Sequence, residues 1–295
     1  MRYCYILLFL ALLGLQSGQA WGQWLNYPAK GQPRTRDGKV DLKARAPRTH
    51  DGKPDLSGVW RVESTSLEEW RRILGDRFEA ADRIRVPGMG IGEVSKYGFN
   101  LFIDFKPGDE PALRPEAQAL LRERRSSGEL RLTSEDCKPT GFPMAILLAP
   151  VFKIVQAPGI TIMLLEEGNV YRQIYTDGRP LPTDPQPSWF GYSTGKWEGD
   201  TLVVETIGFN DQAWLDGAFH PRSEALRMTE RYRRRDFGHI DAEMTFDDPK
   251  MYTKPFSIKV THLLQADSDI LENVCAENEK DRSHMKGVER GLDLR

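Results

Sequence analysis

The sequence has little of what announces most functions. It carries 3 cysteines and 5 histidines in 295 residues. Cys137 and Cys275 have no Cys or His nearby at metal-ligand spacing, which argues against zinc. Charge of one sign is also lacking. Lys+Arg number 41 against 43 Asp+Glu, a net charge of -2, so there is no basic field for DNA or RNA. No Gly-x-Gly-x-x-Gly sits in a strand-turn-helix setting, and Gly88-Met-Gly-Ile-Gly92 has the wrong spacing and flanks, so nucleotide use is not indicated. Ser193 and Ser223 lack a recognisable nucleophile-elbow context, which disfavours a serine hydrolase. No cofactor is expected. Long apolar runs are missing as well: Tyr5 to Leu15 is roughly half of the ~20 residues a membrane span needs.

That single run reads as an export signal. Arg2 supplies a positive start and Gly18-Gln-Ala20 a small-residue cleavage site, so residues 1–20 are expected to be removed. The protein is then exported, periplasmic or extracellular, with no stable membrane span. Cys4 leaves with the signal. In an oxidising compartment the remaining Cys137 and Cys275 are expected to pair, closing a loop of roughly 140 residues worth on the order of 4–5 kcal/mol in the loop-entropy model. The alternative is two separate buried thiols.

Proline and glycine are plentiful, at 19 and 26, and punctuate many short elements. Residues 21–56 contain an internal echo: Pro33-Arg-Thr-Arg-Asp-Gly-Lys-Val-Asp-Leu42 recurs as Pro47-Arg-Thr-His-Asp-Gly-Lys-Pro-Asp-Leu56. Each copy has an Asp-Gly turn and too few apolar residues for a core, so the segment reads as an extended arm, docked through Trp21, Trp24 and Tyr27. Its basic surplus reads as a solvated face. Leu56–Val62 is a first strand. Helices are expected over 66–83, with Ser66 as N-cap, and over 115–125, with Pro115 in the first turn. From Val151 onward strands are expected at 151–157, 160–167, 170–176, 191–198, 201–208, 225–236, 239–247, 256–266 and 269–275, joined by tight turns. Short turns imply antiparallel neighbours, and closure removes exposed edges. The expected fold is mainly β: an antiparallel up-and-down barrel of about 8–10 strands over residues 57–295, with a helical insert at about 66–130 and an N-terminal arm. A two-sheet sandwich is the runner-up.

Gly58-Val-Trp60 on the first strand resembles the Gly-x-Trp opening of lipocalins, in which the tryptophan plugs the closed end of the barrel. This chain departs from lipocalins by its long insert. The runs Tyr171-Arg-Gln-Ile-Tyr-Thr-Asp-Gly-Arg179 and Gly191-Tyr-Ser-Thr-Gly-Lys-Trp-Glu-Gly-Asp-Thr-Leu-Val-Val-Glu-Thr-Ile-Gly-Phe-Asn-Asp211, with Pro54-Asp-Leu-Ser-Gly-Val-Trp60, resemble those of an uncharacterised family of secreted bacterial proteins. That resemblance brings no reaction with it.

Chemistry must come from the residues. Strand alternation puts Glu205 on a face with Val203 and Ile207, Arg172 with Val170 and Ile174, and His262 with Ile258, Val260 and Leu264. If these faces point inward, three polar groups sit in an apolar lumen. Otherwise they are outward or form a structural ion pair. The loop 208–224 combines Asn210, Asp211, Trp214, Asp216, His220 and Glu224. Asp211 could orient His220 as a proton shuttle, with local capping of the turn as the alternative. The spacing of Asp211, Asp216, His220 and Glu224 matches no standard metal motif, so no metal is expected. Trp189, Phe190, Tyr192, Trp197 and Trp214 either stack on a ligand or plug and rim the barrel. Two functions follow. One is an exported barrel that binds a partly apolar or cyclic small molecule through Arg172, Arg179, Trp189, Tyr192, Asn210, Trp214 and His262. The other is a lyase, isomerase or hydrolase on the same scaffold, with His220 and Asp211 or Glu205 as acid/base pair. Either site is expected at a mouth formed by the 177–192 and 208–224 loops.

Overall fold

The computed structural model describes residues 28–79, 94–128, 130–148 and 151–275. The export signal at 1–20, the aromatic residues Trp21, Trp24 and Tyr27, and the end of the expected first helix at 80–83 lie outside them. Nine strands close a barrel in chain order: β1 (Gly58–Val62), β2 (Phe152–Ala157), β3 (Ile160–Leu165), β4 (Val170–Tyr175), β5 (Tyr192–Glu198), β6 (Thr201–Ile207), β7 (Arg227–Arg234), β8 (His239–Asp247) and β9 (Phe256–Leu264). β1 closes it by pairing antiparallel with both β2 and β9, Gly58 opposite Ile154 and Trp60 opposite Leu264.

Alternation explains why these segments are strands. On β8, Ile240, Ala242, Met244 and Phe246 are buried and their neighbours less so; β9 repeats the pattern from Phe256 to Leu264. The inward side chains fill the barrel, with Trp60, Met163, Ile174, Val204 and Met244 all nearly inaccessible. A lumen packed to this degree is a core rather than a chamber.

Two features depart from the expected meander. β4 and β5 run parallel, and their ladder has only two pairs, Ile174 with Ser193 and Tyr175 with Thr194. The proline-rich 176–191 connection is long enough to carry the chain back before β5 starts, which a parallel neighbour requires. The expected strand at 269–275 is absent. That segment is pinned instead by side-chain bonds: Lys153 to Asp269 at 2.8 Å, the Leu271 amide to Glu166 at 2.9 Å, and Asn273 to Asn169. It ends at the Cys137–Cys275 disulfide, whose Cα atoms lie 5.6 Å apart. Replacing both cysteines by serine should lower stability by about 2–4 kcal/mol in urea unfolding under oxidising conditions. An unchanged midpoint would mean that the bridge contributes nothing.

The helical insert supplies α1 (Leu67–Leu74), α2 (Lys96–Phe99), α3 (Pro115–Ser126) and α4 (Met144–Leu147). Ser66 caps α1 by accepting from the Glu69 amide at 3.2 Å, and Trp70 is its buried residue. All four residues of α4 are buried, and Ala145, Ile146 and Leu147 join the barrel core with Phe142. Among the described residues no helix is long and apolar enough to cross a membrane.

The arm is built into the body, and its echo is a pair of clasps. In each copy an Asp-Gly turn closes on itself, Gly38 to Thr35 at 3.0 Å and Gly52 to Thr49 at 2.9 Å. In each copy the arginine after the proline donates to the turn glycine's carbonyl and then reaches a barrel carboxylate: Arg34 to Asp267 at 2.7 Å and Arg48 to Asp200 at 2.6 Å. Both pairs hold the aspartate below the ordinary carboxylate range, chiefly through these hydrogen bonds. Gly238 lets the arm come close, because a Cβ there would meet Leu42 Cβ at 2.5 Å. Alanine at both Arg34 and Arg48 should free the arm, so trypsin should cut within 28–57 about tenfold faster while barrel fragments stay intact. Unchanged cleavage would show that the clasps are dispensable.

Candidate functional site

The short β4–β5 ladder leaves a crevice where the two strands splay. It has a volume of about 480 Å³ and lies between Tyr171, Gln173 and Tyr175 on one wall and Ser188, Trp189 and Tyr192 on the other. Two of its aromatic rings stand in solvent, Tyr171 at 61% and Tyr192 at 40% exposure. Gly208 positions the second: it has φ +74°, and a Cβ there would meet Pro185 at 2.7 Å and Tyr192 at 2.9 Å. Trp189 is fixed from below by Arg222. That buried guanidinium donates to the carbonyls of Trp189 at 3.2 Å, Asn210 at 2.9 Å and Phe142 at 2.5 Å, and to Asn210 Oδ1 at 2.8 Å. Burial without a direct carboxylate partner pushes its pKa down to about 9. Arg179 flanks the crevice, stacked 3.8 Å over the Tyr175 ring and bonded to Asp177. The crevice thus offers ring faces, with Gln173 and Ser188 as polar groups that have no side-chain bond among the described residues.

Arg172 also belongs to this wall, but its side chain points into the barrel and is 1% exposed. There it forms a two-pronged ion pair with Glu230, at 3.0 Å on one prong, and donates to Ser193 at 3.1 Å and Thr206 at 2.7 Å. Tyr232 donates its hydroxyl to Glu230, and Phe142 covers the guanidinium at 3.8 Å. Burial opposes the charge on Arg172, but Glu230 outweighs it and holds the pKa above its ordinary value. Burial, with Glu230 adding to it, pushes Tyr232 well up, so it stays a donor. Every arm of Arg172 is satisfied within the protein, so it is a structural ion pair and not a ligand anchor. Glu230 escapes the sequence reading, although Met228, Glu230 and Tyr232 alternate on one face of β7.

His262 takes the inward of the two orientations that alternation left open and is 1% exposed, with Phe152 edge-on at 5.1 Å. Neither ring nitrogen has a partner, and burial drives its pKa down to about 3. It is a neutral core histidine. Glu205 takes the outward alternative, which removes it as a lumen acid or base: Leu202, Val204 and Thr206 are the inward residues of β6, and Glu205 is exposed on the outside. Ser193 lies within Gly191-Tyr-Ser-Thr-Gly195, a Gly-x-Ser-x-Gly match that the sequence reading passed over. It sits on a strand in the core, bonded to Arg172 and Thr206, not on a strand-to-helix elbow, so it is no nucleophile.

The 208–224 loop is organised differently from the expected His220–Asp211 pair. Asp211 is exposed, and His220 Nδ1 meets Asp216 Oδ2 at 2.5 Å instead. Asp216 is fully buried and also accepts from the amides of Leu101, Ala218 and His220, tying the insert to the loop. The His220 ring lies 4.4 Å from Phe102 and does not line the β4–β5 crevice. Trp214 is buried, bonded to the Arg131 carbonyl at 2.9 Å and covered by Arg124. Asn210 is occupied by Arg222. Of the expected ligand-binding residues with solvent-facing side chains, Trp189 and Tyr192 therefore line the crevice, joined by Tyr171 and Tyr175, which the sequence reading missed. Arg179 stands outside the lining, with its guanidinium on Tyr175 and Asp177. His220, Trp214 and His262 do not line the crevice either. No protein-family model matches the chain, and no curated protein matches it.

Proposed function

We propose that the chain is an exported small-molecule-binding protein that holds a partly apolar, ring-bearing ligand in the β4–β5 crevice. The observation that carries this reading is the pair Tyr171 and Tyr192, large rings left in solvent on opposite walls of one crevice. Its volume, about 480 Å³, falls within the ~300–1,000 Å³ of small-molecule sites. The wall presents no accessible charge, which favours a neutral ligand oriented by hydrogen bonds to Gln173 and Ser188 and stacked on the rings. Export is supported by the signal-like residues 1–20 and by a disulfide, which persists in oxidising compartments. A buried Trp60, bonded to the Leu56 carbonyl at 3.0 Å, supports the proposed resemblance to lipocalins. The ligand, however, lies outside the filled lumen.

Native mass spectrometry of the protein recovered from producing cells tests this. A bound small molecule should be retained by the natural chain and reduced about tenfold or more in a Tyr171→Ala, Tyr192→Ala variant of unchanged stability. Equal retention by both would remove the crevice as the site.

An enzymatic reading, as lyase, isomerase or hydrolase, draws on one observation: a buried Asp216 orients a partly exposed His220. It requires turnover that falls by about a hundredfold or more in His220→Gln while the crevice variant leaves it intact.

A further inference from the structure

We infer that the cleft between the arm and the end of β7 is a second binding site, one for a small multivalent oxyanion of the phosphate or sulfate class. This cleft encloses about 280 Å³ and is lined by six cationic side chains against two acidic ones. The chain as a whole carries a net charge of -2, so this concentration does not reflect a generally basic protein. Two stretches far apart in sequence converge on it: Lys43, Arg45 and Arg48 from the arm, and Arg233, Arg234 and Arg235 from the barrel.

Both acidic groups are already engaged. Asp200 is held by Arg48 at 2.6 Å, and Asp236 by His239 at 2.6 Å and by the Gly238 amide at 3.0 Å. Arg235 turns to Asp241 at 2.8 Å. Among the described residues, Lys43, Arg45 and Arg233 have no carboxylate within ion-pair distance. Arg234 spends its donors on the carbonyls of Asp55, Ser57, Asp236 and Phe237 and stays in place under Trp60, 4.9 Å from the ring.

Docking the arm does not need this surplus. The Arg48–Asp200 clasp and two backbone bonds, Phe237 to Ala44 and Gly238 to Leu42, each 2.8 Å, already hold the wall. Arg233 acts on Asp200 only from beyond ion-pair distance, Asp200 is already held by Arg48, and like charges facing one cleft repel each other. An oxyanion between Arg45 and Arg233 would relieve that repulsion, and guanidinium groups match phosphate or sulfate oxygens two at a time. A cleft of this size admits a small anion and not a folded partner. The arm, whose basic residues read in sequence as a solvated face, then becomes half of a site.

The test is calorimetric titration of the full chain with inorganic pyrophosphate at low ionic strength, with pelleting on phosphatidylglycerol vesicles as a second arm. The expected result is saturable 1:1 pyrophosphate binding that weakens with added salt and no vesicle binding. Affinity should fall about tenfold or more in Lys43→Gln, Arg45→Gln, and also in Arg233→Gln on the opposite wall. These side chains are exposed, and circular dichroism should show both variants folded. Absence of pyrophosphate binding, binding that both variants leave within about twofold, or vesicle binding without pyrophosphate binding would each overturn the assignment.

Discussion

Methionine in place of Arg172 should cost about 3–5 kcal/mol of folding stability, because it leaves the Glu230 carboxylate buried without its cation. Glu230 would retain only the hydroxyls of Tyr232 and Thr206 in an otherwise apolar interior. Replacing both partners, Arg172→Met with Glu230→Leu, should recover most of that loss, since a buried pair exchanged for apolar side chains of similar volume is often close to neutral. Urea unfolding of the two singles and the double measures the coupling directly. A single variant that loses less than about 1 kcal/mol would mean that the pair is not formed in the barrel. Because the ion pair lies in the lumen and not in the crevice, the double variant should still bind ring ligands.

Acid sensitivity should be set largely by His262. In the folded protein burial lowers its pKa from 6.5 to about 3, while in the unfolded chain it titrates normally. Between those values the unfolded state takes up a proton that the folded state refuses. Stability is therefore lost as pH falls from about 6.5 towards 3, by several kcal/mol in all at roughly 1.4 kcal/mol per unit. His262→Leu removes both the titration and two unpartnered nitrogens. The variant should be modestly more stable at pH 8 by about 1 kcal/mol, and its advantage should widen steadily below about pH 6. Denaturant unfolding across the pH range checks this. Parallel stability curves for the two proteins would show that His262 is not held neutral in the core.

Much of the barrel is legible in the sequence because tight turns and alternation act locally. Pro158-Gly159 and Glu198-Gly-Asp200 fix antiparallel neighbours whatever surrounds them. What is not legible depends on distant partners. Alternation divides β6 into two faces but does not say which is inner; Glu205 sits between Val203 and Ile207, and both of these remain partly exposed. The apolar outer face reads as core, and the true inner face is disguised by Thr206, whose hydroxyl serves Arg172. The partner of His220 is likewise a matter of loop geometry, since Asp211 and Asp216 are both near in sequence and only Asp216 is buried beside it. The parallel β4–β5 seam follows no turn rule, because its connection is long. The crevice exists because of that seam, so its location could not be read before the strand order was known. The arm repeat was visible, but its purpose required knowing that Asp200 and Asp267 lie where Arg48 and Arg34 reach.

The most direct test is chemical-shift mapping on the labelled full chain, titrated with neutral ring compounds such as 2-naphthol. Binding in the crevice predicts perturbations clustered at 169–175 and 188–193, with little change at His262 or along β8, and their loss in Tyr171→Ala, Tyr192→Ala. Shifts centred on the lumen or on the 208–224 loop, or none at saturating ligand, would contradict it.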